Sequence, residues 1–174
     1  MAIARADMDD FVRPRPLELV QFFEDLELKL GGVPHGRRVR LIPPPPVTLA
    51  ADPDRLAQAV LNLVNNADVH TPDDTSIEIA ATHHDGEVTI AVIDDGPGIP
   101  DPIRNDVFEP FVRGDLPGST GLGLAVVRAV VDAHGGTIVM DTSADGTRIG
   151  FALPCHDDAP AVADATATAT GQAG

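Results

Sequence analysis

A chain of 174 residues, 43% apolar and 22% charged, is long enough for one domain with a real core, and its composition is that of an ordinary globule. Its formal charge of −15 argues against nucleic acid or an anionic membrane as the main partner, and most of that charge reads as solubility. A single cysteine, Cys155, excludes an intramolecular disulfide and a cysteine-cluster metal site. No apolar run approaches ~20 residues and no signal-peptide apolar region opens the chain, so it reads as cytoplasmic, without membrane insertion.

In chain order, residues 1–15 read as an extended lead-in ending in Arg13-Pro14-Arg15-Pro16, because each proline disfavours helix at the residue before it. Apolar residues at Leu17, Val20, Phe23, Leu26, Leu28 and Leu30 predict an amphipathic helix over 17–30, stopped by Gly31-Gly32 and Pro34. Strands are expected over 37–42 and 47–50, separated by the connector Pro43–Pro46, which can donate no ladder hydrogen bonds. Asp52-Pro53 is a helix start, an N-cap carboxylate followed by proline at the first helical position, and predicts a helix over 53–69 with Leu56, Val60, Leu63 and Ala67 buried.

Beside that apolar stripe, Gln58, Asn62 and Asn66 are spaced by four and therefore stacked. They read either as a solvated polar flank or as amides facing a ligand or metal. The amide oxygen is a neutral hard ligand suited to Mg²⁺. Strands follow over 76–82 and 87–93, around a loop His83-His84-Asp85-Gly86 whose histidines are expected to be exposed. Residues 99–118 read as loop, with a short helical possibility at 101–107. Phe108 and Phe111 there are either anchors of a small satellite core or the pins of a mobile lid. A helix over 122–133 ends at His134-Gly135-Gly136, and strands over 137–141 and 147–153 close the domain. The tail, 155–174, has no periodicity and is expected to be disordered.

The segment from Val92 to Leu124 organises the rest. An apolar strand runs into Asp94-Asp95-Gly96-Pro97-Gly98, placing the Asp94 carboxylate at the rim of a sheet beside glycines that admit a close ligand. Further on, Gly121 and Gly123 lead into a helix, whose first N–H groups and positive dipole end suit phosphate. One segment thus offers an acceptor for an amine-bearing base and a cradle for phosphates.

Taken together these motifs strongly resemble the ATP-binding catalytic domain of two-component sensor histidine kinases, within the GHKL group of gyrase, Hsp90 chaperones, histidine kinases and MutL. The resemblance covers about Arg13 to Pro154 and implies an α+β two-layer sandwich, a mixed β-sheet with helices on one face, spanning residues 16–154. Asp54–Gln58 with Asn62–Ala67 is similar to the N box, Asp94–Gly98 to the G1 box, Val107–Phe111 with Arg113 to the F box, and Gly121–Leu124 to the G2 box. Any one box is a weak signal; four in the family's order and spacing are specific.

The resemblance implies that Asp94 accepts from the adenine amine, with Gly96 and Gly98 close to the base. It implies that Asn66, supported by Asn62, ligates Mg²⁺, and that Gly121, Leu122, Gly123 and Leu124, with Thr120, cap the triphosphate. Phe108 and Arg113 would belong to an ATP lid over 108–118.

Three departures bear on function. Val69 stands where the family has Lys or Arg against phosphate, so that charge would have to come from His70 or Arg113. The lid is short, with only Leu116-Pro117 between Asp115 and Gly118. None of His35, His70, His83, His84, His134 or His156 has the setting of a phosphoacceptor on a dimerising helical hairpin.

The expected function is therefore phosphorylation of a histidine on a separate partner carrying the dimerisation and phosphoacceptor domain, such as a membrane sensor that recruits this chain to the inner membrane face, and through it a response regulator. On this reading the chain is either the catalytic domain of a split kinase or a piece of a longer one, and Met1 and the tail lean towards the expectation of a natural separate chain. The alternatives are an anti-sigma-type serine kinase, disfavoured because Asn62 stands where those relatives carry a basic Glu, and a non-enzymatic nucleotide-gated binding module.

Overall fold

A computed structural model of the chain describes residues 11–31, 39–104, 106–109 and 121–155. Its elements are β1 (Arg15–Glu18), α1 (Leu19–Gly31), β2 (Val39–Leu41), β3 (Thr48–Ala51), α2 (Pro53–His70), β4 (Ile77–His84), β5 (Glu87–Asp94), α3 (Gly123–Ala133), β6 (Thr137–Ser143) and β7 (Gly146–Pro154). Five strands form a mixed sheet in the order β2-β4-β5-β7-β6, with β2 parallel to β4 and the other pairs antiparallel. Along β5, Val88, Ile90 and Val92 are fully buried and join one core with Leu56, Val60, Leu63 and Val64 of α2 and Val127, Val130 and Val131 of α3. Period two in the strand and period 3.6 in the helices thus meet on one face, giving the two-layer sandwich.

The start of the domain departs from the expectation of a helix over 17–30. Leu17 and Glu18 are extended, paired with Leu49 and Thr48 in a separate two-stranded ribbon of β1 with β3. Proline at 14 and 16 holds Arg13 and Arg15 extended, and the pairing of Leu17 and Glu18 with β3 carries the strand on, so the helix begins only at Leu19. The buried stripe of α1 is accordingly Leu19, Phe22, Phe23, Leu26 and Leu30, while Leu28 is 78% exposed and Val20 is also exposed. Part of the lead-in belongs to the domain: Val12 is buried, and Arg55 covers the Phe11 ring at 4.4 Å.

At the hairpin between β4 and β5, His83 and His84 lie in the strand and the turn is only Asp85-Gly86, with φ of 50° and 75°. Asp-Gly with both residues left-handed is the tight turn that matches strand twist, so it displaces the four-residue loop read from the sequence. His84 is exposed and His83 half-buried. The possible helix at 101–107 is a run of turns, Ile103 N–H to Pro100 O at 3.2 Å and Glu109 N–H to Asp106 O at 2.8 Å. Cys155, placed in the tail by the sequence, is buried and donates its N–H to Gly86 O at 2.7 Å. The tail beyond it, residues 1–10 of the lead-in and most of the lid (110–120) lie outside the described residues.

Candidate functional site

Asp94 ends β5 on the helix-covered face, where it is 7% exposed. Its carboxylate accepts the Gly96 N–H at 3.0 Å and the N–H of Thr147, its register partner on β7. Burial pushes its pKa above the ordinary carboxylate value; those two donors pull it back in part, and neighbouring Asp95 adds to the rise. A buried carboxylate with a lone pair still to satisfy is suited to an amine donor. Asp95 turns away and fixes the start of β4, accepting the Ser76 N–H at 2.7 Å.

The turn after Asp94 is held from two sides. A side chain on Gly96 would come within 2.6 Å of Thr71 Cγ2, at the end of α2. Gly98 has φ of 77°, and a side chain there would overlap the Ser143 carbonyl oxygen. Ile99 donates its N–H to Thr142 Oγ1 at 2.8 Å, and that hydroxyl meets Thr147 Oγ1 at 3.3 Å. Thr142, Ser143 and Thr147 were not among the residues picked out from the sequence. They reach the site because β5 pairs with β7 rather than β6, a long-range choice that the local pattern does not carry; a Thr at each end of the last hairpin turn is the only trace.

α2 spans the site. Asp52 caps it, its Oδ1 accepting the Asp54 and Arg55 N–H groups at 3.1 Å each. Asn62 and Asn66 are half-buried on one face, one turn apart. Gln58, one turn earlier, is exposed and accepts from Arg55 at 3.2 Å, so it is the solvated member of the row. A methyl group on Gly123 would lie 4.0 Å from Asn62 Cγ, which brings the asparagine helix and the start of α3 together.

Gly121 has φ of 66° and turns the chain into α3, where the N-cap residue Leu122 makes no side-chain cap and the first turn holds no acidic residue. The N-terminal N–H groups of α3 are therefore open to an anion, in contrast to the capped α2. Phe108 is buried under the Arg128 guanidinium, 5.3 Å from its ring centroid, and Arg128 pairs with Glu109 at 3.1 Å. Phe108 joins the main core rather than a separate satellite. Phe111, Arg113 and Thr120 lie outside the described residues.

These pieces (a buried carboxylate and two glycines at one end, an uncapped glycine-led helix at the other, asparagines between) coincide with a family match. Residues 51–157 match the family described as histidine kinase-, DNA gyrase B-, and HSP90-like ATPase. The chain belongs to this family. It is 38% identical over 161 residues to the probable sensor histidine kinase TcrY of Mycobacterium tuberculosis, a match covering 88% of this chain and 34% of that protein. It is 34% identical over 162 residues to the sensory histidine kinase/phosphatase NtrB of Rhodobacter capsulatus, covering 82% and 45%.

The chain therefore spans between a third and a half of the length of these relatives. Among solved structures, the mycobacterial sensor histidine kinase MprB superposes with a TM-score of 0.70 at 30% identity, covering 82% of this chain and 97% of that one. Full-length ShkA in complex with AMPPNP superposes with a TM-score of 0.72 at 28% identity, covering 82% and 31%. The fold is thus the ATP-binding domain of the histidine kinase-like ATPases.

Val69 is 41% exposed, and His70, at the end of α2, is half-buried. A cleft of about 320 Å³ beside Gly96 is walled by Asp74 and Asp95, whose charge disfavours phosphate there. Among the described residues no group of three His, Cys, Asp or Glu could hold a metal, and no helix is long and apolar enough to cross a membrane.

Proposed function

We propose that this chain binds Mg²⁺·ATP and serves as the nucleotide-binding part of a histidine kinase, transferring the γ-phosphoryl group to a histidine on a separate protein. Adenine would place its amino group on Asp94, near Gly96 and Gly98. The triphosphate would lie along α2 toward Gly121–Leu124, with Asn62 and Asn66 between.

The observation that carries the reading is the uncapped N-terminus of α3 set beside Asn62. Free N–H donors and neutral amide oxygens converge where phosphates and their metal need both. Two amide oxygens are a weak all-protein metal site but a good fit to Mg²⁺, which keeps waters and shares phosphate oxygens. The metal would neutralise charge on the phosphates. The chain's own part is to orient the nucleotide, which is most of what phosphoryl transfer asks of a protein.

The described histidines are not placed as phosphoacceptors. His83 and His84 sit in β4, His70 closes α2, and both ring nitrogens of His134 are engaged. None is presented on a helical hairpin; His35 and His156 lie outside the described residues. The partner would carry the phosphoacceptor domain and pass the group to a response regulator.

Titration with ATP, with and without magnesium, tests the site. Asn66→Ala should abolish the magnesium-dependent gain in affinity. Unchanged magnesium dependence in that variant would remove Asn66 from the metal. Tight binding without phosphotransfer to any partner would favour the nucleotide-gated binding module.

A further inference from the structure

α2 and α3 pack along their length through the shared core, and at each end of that packing lies a polar contact. At one end, Gly123 lies against Asn62. At the other, the His134 ring just past α3 meets Asp52 just before α2: Asp52 donates its backbone N–H to His134 Nε2 at 2.9 Å, and Nδ1 lies 2.7 Å from the Val130 carbonyl oxygen. The partners fix the roles. A backbone N–H can only donate and a carbonyl can only accept, so Nε2 is the lone-pair nitrogen and Nδ1 carries the proton. The ring itself is half-buried and held from behind, because α3 ends in a glycine motif. Gly135 has φ of 68°, Gly135 N–H reaches Asp132 O at 3.0 Å, and Gly136 N–H reaches Val131 O at 2.9 Å.

The two contacts are nearly equidistant along both helices. Asp52 to Asn62 is ten residues, about 15 Å of helix, and Gly123 to His134 is eleven, about 16 Å. The helices therefore lie antiparallel and in fixed register. Between the two contacts α3 presents only Val127, Val130 and Val131 as fully buried residues. That packing holds the helices together through many small, non-directional contacts. The hydrogen bond from a fixed backbone N–H to the ring adds a directional constraint on their register.

We infer that His134 is a positioning residue of the nucleotide site. It pins α3 lengthwise against α2, and so sets where the phosphate-facing N–H groups after Gly121 stand relative to Asn62 and Asn66. This rests on the nucleotide reading above and adds a residue some 16 Å from the phosphates by helix length. Adenine recognition stands apart from the pin, since Asp94 is carried by β5 and held by Gly96 and Thr147.

The separation supplies the test. Calorimetry of the full chain would compare adenosine, which uses the Asp94 end, with Mg²⁺·ATP, which needs both ends. His134→Leu keeps bulk and removes both hydrogen bonds. It should leave adenosine affinity within about twofold and weaken Mg²⁺·ATP about tenfold, the scale of one weakened hydrogen bond to phosphate. His134→Gln, whose amide oxygen can reach the Asp52 N–H, should recover most of the loss. Equal losses for both ligands, no loss for either, or no recovery with Gln would each overturn the inference.

A nucleotide-free readout keeps it separate from the proposed function. Spin labels on the exposed positions of Gln58→Cys and Ala129→Cys should report a broadened inter-helix distance in His134→Leu and not in His134→Gln. An unchanged distribution overturns the pin even if ATP binds, and a broadened one sustains it even if ATP does not.

Discussion

At the scale of single residues, Asp94 sets function against stability. Its pKa is raised, mainly because burial strips its carboxylate of water. A raised folded-state pKa means that its contribution to stability is full below the ordinary carboxylate range and is lost as pH rises through the folded value. At neutral pH the ionised group is therefore a net cost that adenine would offset. Asp94→Asn should leave the melting temperature at neutral pH unchanged or higher, while ATP affinity falls by roughly 1–3 kcal/mol, the range for a mispaired buried polar group. Parallel melts and titrations check both signs; a variant that loses stability and keeps affinity would contradict this account. Wild-type affinity should also weaken on acidification, starting above the pH at which an ordinary aspartate takes up its proton. Asp94 was legible in the sequence because strand, acid and glycines are contiguous there. Thr147 was not, because only sheet pairing brings it in.

Elements show the same division. The cap of α2 and the centre of its buried stripe are legible, since Asp52-Pro53 and the Leu56, Val60, Leu63, Ala67 spacing are local signals; Ala57, Ala59 and Val64, which widen that stripe, are not. α1 was started two residues early because Leu17 satisfies both a helical pattern and a strand; pairing with Leu49 decided in favour of the strand. Asp52 yields the prediction at this scale. Burial would raise its pKa, but the N–H groups of Arg13, Arg55 and Asp54 outweigh that and hold it below the ordinary value. A lowered pKa gives stability that is present above the unfolded value and lost as pH falls through the folded one. Asp52→Ala should thus cost about 0.5–2 kcal/mol at neutral pH, the range for a helix cap, and the gap between variant and wild type should narrow in acid. Denaturant titrations at neutral and acidic pH measure that gap directly. A gap of constant size would mean that the carboxylate's charge plays no part in the cap.

For the whole molecule, the proposed transfer depends on what the described surface supplies and what it leaves to a partner. On the proposed reading it would offer an acceptor for adenine, amides for a metal and N–H donors for phosphate, while Asn62 cannot serve as a base because an amide takes no proton at neutral pH. The chain alone should therefore turn over ATP slowly and remain unlabelled when given γ-labelled ATP. With a protein bearing a phosphoacceptor histidine followed by an acidic residue, label should appear on that protein. It should be acid-labile and alkali-stable, and should vanish with Asn66→Ala. The net charge of −15 over 174 residues makes the rate of encounter depend on the partner's charge, so a basic face on the partner should give transfer that slows with added salt. Strong self-labelling of this chain, or an alkali-labile phosphoserine on the partner, would overturn transfer to a separate histidine. The second result would return the serine-kinase reading despite Asn62, and would require a base from outside the described residues.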